Sequence, residues 1–99
     1  MITTTITKIN TSQGKAALIE ISCPPEGAAP AMLKGLLVEV PHGMGVVLSG
    51  RAPIWVYGCL VHETHVAKWV ATFDPRLEGA VIVESHTPGI IAGEVVTVQ

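Results

Sequence analysis

The chain has 99 residues, 48% of them apolar and 14% charged, with a net charge of −2. That length predicts one domain, residues 1–99, with a modest core, and its apolar surplus predicts a subunit interface. The slight acidity argues against unspecific binding of long nucleic acid, which favours basic proteins, and leaves room for a small anion at a focused site.

Thr3 to Ile9 is rich in Thr and Ile and alternates, which predicts a strand. Gln13-Gly14 is a turn, and Lys15 to Cys23 is a second strand stopped by Pro24-Pro25. Pro30 suits a first helical turn, so Ala31 to Val38 is expected to be helical with Leu33, Leu36 and Leu37 on one face. Gly45 to Gly50 is a buried strand ending in a turn. Pro53 then opens a helix from Ile54 to His65 that is apolar nearly all round. Lys68 to Phe73, a turn at Asp74–Gly79, and Ala80 to Ser85 make a hairpin, and Gly93 to Val98 is expected as a last edge strand. This order predicts an α+β protein, a two-layer ferredoxin-like sandwich of about six strands with two helices on one face.

The run Ile54 to Val61 is far shorter than the roughly 20 residues of a membrane span. The N-terminus lacks the basic and apolar regions of a signal peptide, so the expected location is cytoplasmic with no membrane partner. Cys23 and Cys59 form no CxxC pair and read as small reduced core residues.

Tracing the chain sorts the polar groups to two ends. The strand ending at Ser49 delivers Ser49-Gly50-Arg51 to a first end, and the strand from Lys68 delivers Asp74 and Arg76 there as well. His62 and His65 leave the helix at the second end, where His86 and His42 also fall. Six or so strand residues separate the two ends by roughly 20 Å.

The first end has the character of an anion site, with a close-approaching Gly turn, a helix N-terminus and two arginines able to pair with phosphate. The plain alternative is a turn and a surface Arg paired with Asp74. At the second end, His62, His65 and His86 are candidate ligands for Mn²⁺, Fe²⁺ or Zn²⁺. Solvated histidines favoured by the helix dipole are the alternative there. Glu84 is a candidate to support that cluster. Trp55 and Trp69 could stack on a base but suit the core better, Tyr57 reads as an interface residue, and Met32 and Met44 as gap fillers. Ser49 has no His at its own end, which argues against a Ser–His hydrolase.

The run Gly45-Val46-Val47-Leu48-Ser49-Gly50-Arg51-Ala52-Pro53-Ile54-Trp55 resembles the core signature of the small CRISPR-associated ring nucleases of type III systems. Phe73-Asp74-Pro75-Arg76-Leu77 and the Val-rich strand ending Glu84-Ser85-His86 are similar to later motifs of that family, as is the spacing from His65 to Asp74. The likeness runs from about Gly45 to His86. The first forty residues resemble the family only in length and order of elements.

The resemblance implies a ferredoxin-like dimer that cleaves cyclic tetra-adenylate with Mn²⁺, and an activity on RNA 3′ ends. It implies chemistry at His65 and Asp74, and phosphate contact by Arg76 and Ser49-Gly50-Arg51. Ala52 stands where the family pattern has Gly, and Glu78 is an extra residue in the hairpin turn.

The expected function is therefore a metal-dependent phosphodiesterase that opens cyclic oligoadenylate and switches off the antiviral signal. The alternatives are an exoribonuclease on short single-stranded RNA and a binding module without turnover. With His65 and Asp74 at opposite ends, substrate is expected to lie between homodimers stacked head to tail, as a tetramer or filament.

Overall fold

The structure is a computed structural model describing residues 1–99. Its strands are β1 (Thr3–Thr11), β2 (Gly14–Ser22), β3 (Gly45–Ser49), β4 (Trp69–Asp74), β5 (Gly79–Ser85) and β6 (Val95–Val96), and its one α-helix is α1 (Ile54–Glu63). All six strands lie in one mixed sheet in sequence order. β2–β3 and β3–β4 pair in parallel and the remaining neighbours antiparallel. A parallel pair needs a crossover, and α1 supplies the one between β3 and β4. The result is the expected α+β two-layer arrangement, with the helix covering one face of the sheet.

The period of two along each strand divides the core. Val46 and Leu48 of β3 and Val70 of β4 face α1, where Val56 and Leu60 of the helix meet them with no exposed surface. Truncating Leu60 to Ala there costs about 2–5 kcal/mol. Val47, Trp69 and Ala71 face the other way and pack with Ala16, Ala80, Ile82 and Val96. Trp69 fills that second cluster, and Gly45 makes room for it: a Cβ on Gly45 would sit 2.1 Å from the indole. Trp69 is almost wholly buried there, so its expected core role holds.

The helix expected from Pro30 to Val38 is a single 3-10 turn, Pro30–Leu33. Its N-cap Ala29 has no side-chain acceptor to offer, and Gly35 at φ +75° turns the chain away two residues later. Leu36 still reaches the core, while Leu37 is exposed. The last segment also differs from an open edge. Only Val95–Val96 pair with β5, and the chain then crosses to the end of β1, where Ser12 N–H donates to Thr97 C=O at 2.9 Å and Gln99 N–H to Asn10 C=O at 2.9 Å. The C-terminal segment thus ties β6 to the end of β1, and its Val96 packs with Trp69. Cys23 and Cys59 are half-buried free thiols. No helix is long and apolar enough to cross a membrane.

Candidate functional site

Register places the polar groups at two ends, as the chain tracing expects. Glu20 pairs with Ser49, Leu48 with Thr72, and Asp74 with Gly79, so Ser49-Gly50-Arg51 and Asp74-Arg76 project from the same end of the sheet. At the opposite end Trp69 pairs with Ser85, His86 N–H donates to Lys68 C=O at 3.0 Å, and Lys68 N–H to Met44 C=O at 3.2 Å. That brings His42, His62, His65 and His86 to one side.

At the first end the turn is built tightly. Gly50 has φ +121°, a conformation side chains rarely adopt, and a Cβ there would lie 2.4 Å from the Ile21 carbonyl oxygen. The Tyr57 hydroxyl, one turn into α1, donates to the Gly50 C=O at 2.6 Å. Burial holds the Tyr57 phenol above its ordinary pKa, so it stays a donor. Ser49, Gly50, Arg51 and Pro75 line one cavity of about 400 Å³ that Tyr57 and Phe73 also wall. The first turn of α1 begins at the same place, with its unpaired backbone N–H groups directed to that end.

Asp74 ends β4 and accepts from the backbone N–H of Arg76 at 2.9 Å, capping the short turn Pro75–Leu77. The same carboxylate accepts from Arg76 Nε at 3.4 Å and from Nη2 at 3.1 Å. The side-chain hydrogen bonds from Arg76 hold the Asp74 carboxyl below the usual carboxylate range, and the pairing raises the guanidinium pKa in turn. Two of the five N–H groups of Arg76 are thus engaged and three remain for an anion. Glu78 takes the left-handed conformation at φ 50° and closes the turn.

At the second end α1 stops at Glu63, and Thr64 caps it, its hydroxyl donating to Leu60 C=O at 2.7 Å. His65 therefore lies just past the helix, its ring stacked on His62 at a centroid distance of 5.6 Å and edge-on to His86 at 6.3 Å. Nδ1 of His65 lies 2.7 Å from the His62 carbonyl oxygen. A carbonyl only accepts, so in the neutral ring Nδ1 carries the proton and Nε2 keeps its lone pair. Glu84 Oε1 stands 3.9 Å from His86 Nε2. The donor chemistry suits a transition-metal ion, and a backbone carbonyl on the second ring nitrogen is the usual support for a metal-bound His. In this arrangement no three His, Cys, Asp or Glu side chains close on one point.

Each sequence-predicted residue thus falls at its expected end, and His65 is separated from Asp74 and Arg76 by the length of β4, roughly 20 Å. Tyr57 and Phe73 were not among the candidates. The signal for Tyr57 was its place four residues after Pro53, where one helical turn brings it back over Gly50.

A family model described as CRISPR-associated protein (Cas_csx3) matches residues 24–97. An uncharacterized protein of Aquifex aeolicus (strain VF5) is 55% identical over 51 residues, which are 52% of this chain and 46% of that relative. The match thus spans about half the length of the relative.

Proposed function

The chain belongs to the Cas_csx3 family of CRISPR-associated proteins, a ring-nuclease family of type III systems, and on that premise we propose that it is a metal-dependent phosphodiesterase that cleaves cyclic oligoadenylate, with cyclic tetra-adenylate as the expected ring. What carries this reading is the forked Asp74–Arg76 pair beside the Ser49–Arg51 turn, a compact anion site at one end of a weakly acidic protein. Arg51 and Arg76 bind phosphate oxygens, and the turn brings backbone close to them. Asp74 holds Arg76 in place and stays ionised at neutral pH, so it orients a donor rather than delivering a proton.

His65 offers Nε2 as a base or a metal ligand, because its Nδ1 proton is committed to the His62 carbonyl. His62 and His86 flank it, and the three rings would have to draw closer together to share an Mn²⁺. When bound, such an ion supplies positive charge to a phosphate oxygen and acidifies an attacking hydroxyl or water. Since His65 and Asp74 lie at opposite ends, the simplest arrangement that offers both to one substrate is two molecules stacked head to tail. A ring with repeated phosphates suits a symmetric homodimer face, which presents each arginine twice.

The test is to incubate the pure protein with cyclic tetra-adenylate, with and without Mn²⁺, and to separate the products. Linear oligoadenylates that appear only with Mn²⁺ support the reading. An intact ring at high protein and Mn²⁺ concentration overturns it, and shortening of a long unstructured RNA from its 3′ end in preference to the ring would favour an exoribonuclease.

A further inference from the structure

The register that sends the Ser49–Arg51 turn to the first end sends the start of β1 there too. Thr3 pairs with Ser22 and Thr4 with Ile21, and the Ile21 backbone is what a Cβ on Gly50 would strike. Only β2 stands between Thr4 and Gly50, so they lie two strand spacings apart, roughly 10 Å. Beside Thr3 and Thr4 opens the largest cavity of the protein, about 460 Å³. Its floor is Ile2 and Leu36, both part of the core under α1. Its other walls come from the 3-10 turn and the residues after it. Met32 is held there by its sulfur, which accepts from the Ala29 N–H at 3.4 Å. Lys34 is exposed and forms no ion pair. Leu37 is 78% exposed and packs in neither core cluster. A lone exposed leucine or lysine means little, but these two border one cavity with an apolar floor.

We propose that this cavity is a second nucleotide subsite, which takes the unit of the oligoadenylate next to the one whose phosphate lies on the Ser49–Arg51 turn. The two halves of a nucleotide find matching groups in it. Lys34 offers an unpaired ammonium to a phosphate oxygen. Met32 and Leu37 offer apolar surface to the base, and a thioether packs well against an aromatic ring. The distance from the turn is on the scale of one nucleotide. A ligand that repeats one chemical unit gains affinity when the face that holds one unit also holds the next, because the second contact is intramolecular. The inference rests on the proposed phosphate role of the first end, and it extends that face from β3 and β4 across β2 to the start of β1.

The test titrates cyclic tetra-adenylate into the protein, follows the backbone amides by NMR, and measures affinity by calorimetry for wild type and three variants. The ring is expected to shift the amides of Thr3, Thr4, Lys34 and Gly35 together with those of Ser49, Gly50 and Arg51. If it moves the turn and leaves Thr3, Thr4 and Lys34–Leu37 in place, the second subsite is wrong and the phosphate face at the turn stands. If it moves neither, the phosphate face falls and the subsite with it. Lys34→Gln is expected to bind at least about fivefold more weakly, with a shallower salt dependence. Leu37→Ser is expected to bind at least about threefold more weakly with its salt dependence kept. Lys8→Gln, on the β1–β2 hairpin, should match wild type. The Lys34 and Leu37 side chains are exposed, so both variants should melt as wild type does. Wild-type affinity in both Lys34→Gln and Leu37→Ser overturns the proposal.

Discussion

The Asp74 carboxylate grips Arg76 three times, through the backbone N–H at 2.9 Å, Nε at 3.4 Å and Nη2 at 3.1 Å. Asp74 is partly covered while Arg76 is 87% exposed, so the aspartate is the anchor and the arginine the part presented to solvent. Removing either has a different consequence. Arg76→Ala is expected to weaken cyclic oligoadenylate binding roughly 10- to 100-fold and to alter its salt dependence, relative to Lys8→Ala on the β1–β2 hairpin. Arg76→Lys recovers the charge without the fork and should restore only part of the affinity. Unchanged affinity in both Arg51→Ala and Arg76→Ala would show that this end does not bind the ligand.

The same pair sets a pH window. Hydrogen bonds from Arg76 depress the Asp74 pKa in the folded state, so folding favours the ionised form. That contribution is present above the unfolded carboxylate value, about 3.9, and is lost as pH falls below it through the lower folded value. Comparing wild type with Asp74→Asn by denaturation should therefore show a difference that is constant from pH 5 to 8 and shrinks below about pH 4. A difference that changes between pH 6 and 8 would implicate some other group.

The Gly50 turn should tolerate no side chain. Gly50→Ala places a Cβ against the Ile21 carbonyl at a φ that alanine avoids, and a loss of about 2 kcal/mol or more is expected by urea denaturation. Tyr57→Phe removes only the hydroxyl on the Gly50 carbonyl and should cost about 0.5–1.5 kcal/mol. If Gly50→Ala folds with wild-type stability, the turn is looser than its geometry implies.

Much of this was legible in the sequence for local reasons. Pro53 marked the start of α1, and the apolar run Gly45–Leu48 is a strand buried along its length. Because strand direction follows from chain order, the sorting of arginines and histidines to opposite ends needed no side-chain detail. What was hidden depends on distant partners. Pro30 signals a helix start, but tertiary packing and Gly35 limit that element to one turn. The return of Thr97–Gln99 to Asn10–Ser12 joins the C-terminal segment to the far end of β1, and no periodicity in either segment records it. The bond from the Tyr57 hydroxyl to the Gly50 carbonyl was hidden because its acceptor is a backbone group with no signature in the sequence.

The histidine cluster predicts metal dependence. EDTA should abolish cleavage and Mn²⁺ restore it. Among single changes His65→Ala should be the most damaging, because its Nδ1 proton is already held by the His62 carbonyl and its ring is the one that neighbours both others. Protons compete with metal for imidazole nitrogen, so activity should fall as the medium is acidified and recover with added Mn²⁺. Full activity in EDTA would exclude the metal from the reaction.

His65 follows α1 at one end of the sheet, and Asp74 closes β4 at the other, so a six-residue strand lies between them. At roughly 3.3 Å per residue no side-chain motion brings them to one phosphate within a protomer. A two-fold dimer with parallel protomers puts both Asp74 copies on one face and both His65 copies on the other. The simplest place for a substrate that needs both is then between the Arg76-bearing face of one dimer and the histidine face of the next. Such a contact is heterologous and can propagate, so cyclic oligoadenylate should drive tetramers or short filaments visible by light scattering. It follows that two inactive variants should rescue one another. His65→Ala keeps a sound Asp74 face, and Asp74→Ala keeps a sound His65 face. Mixed in equal amounts, they should cleave the ring well above either alone, with a rate that rises steeply with protein concentration. If the mixture is as inactive as its parts while circular dichroism shows both variants folded, cleavage takes place within one protomer face and the stacked arrangement is wrong.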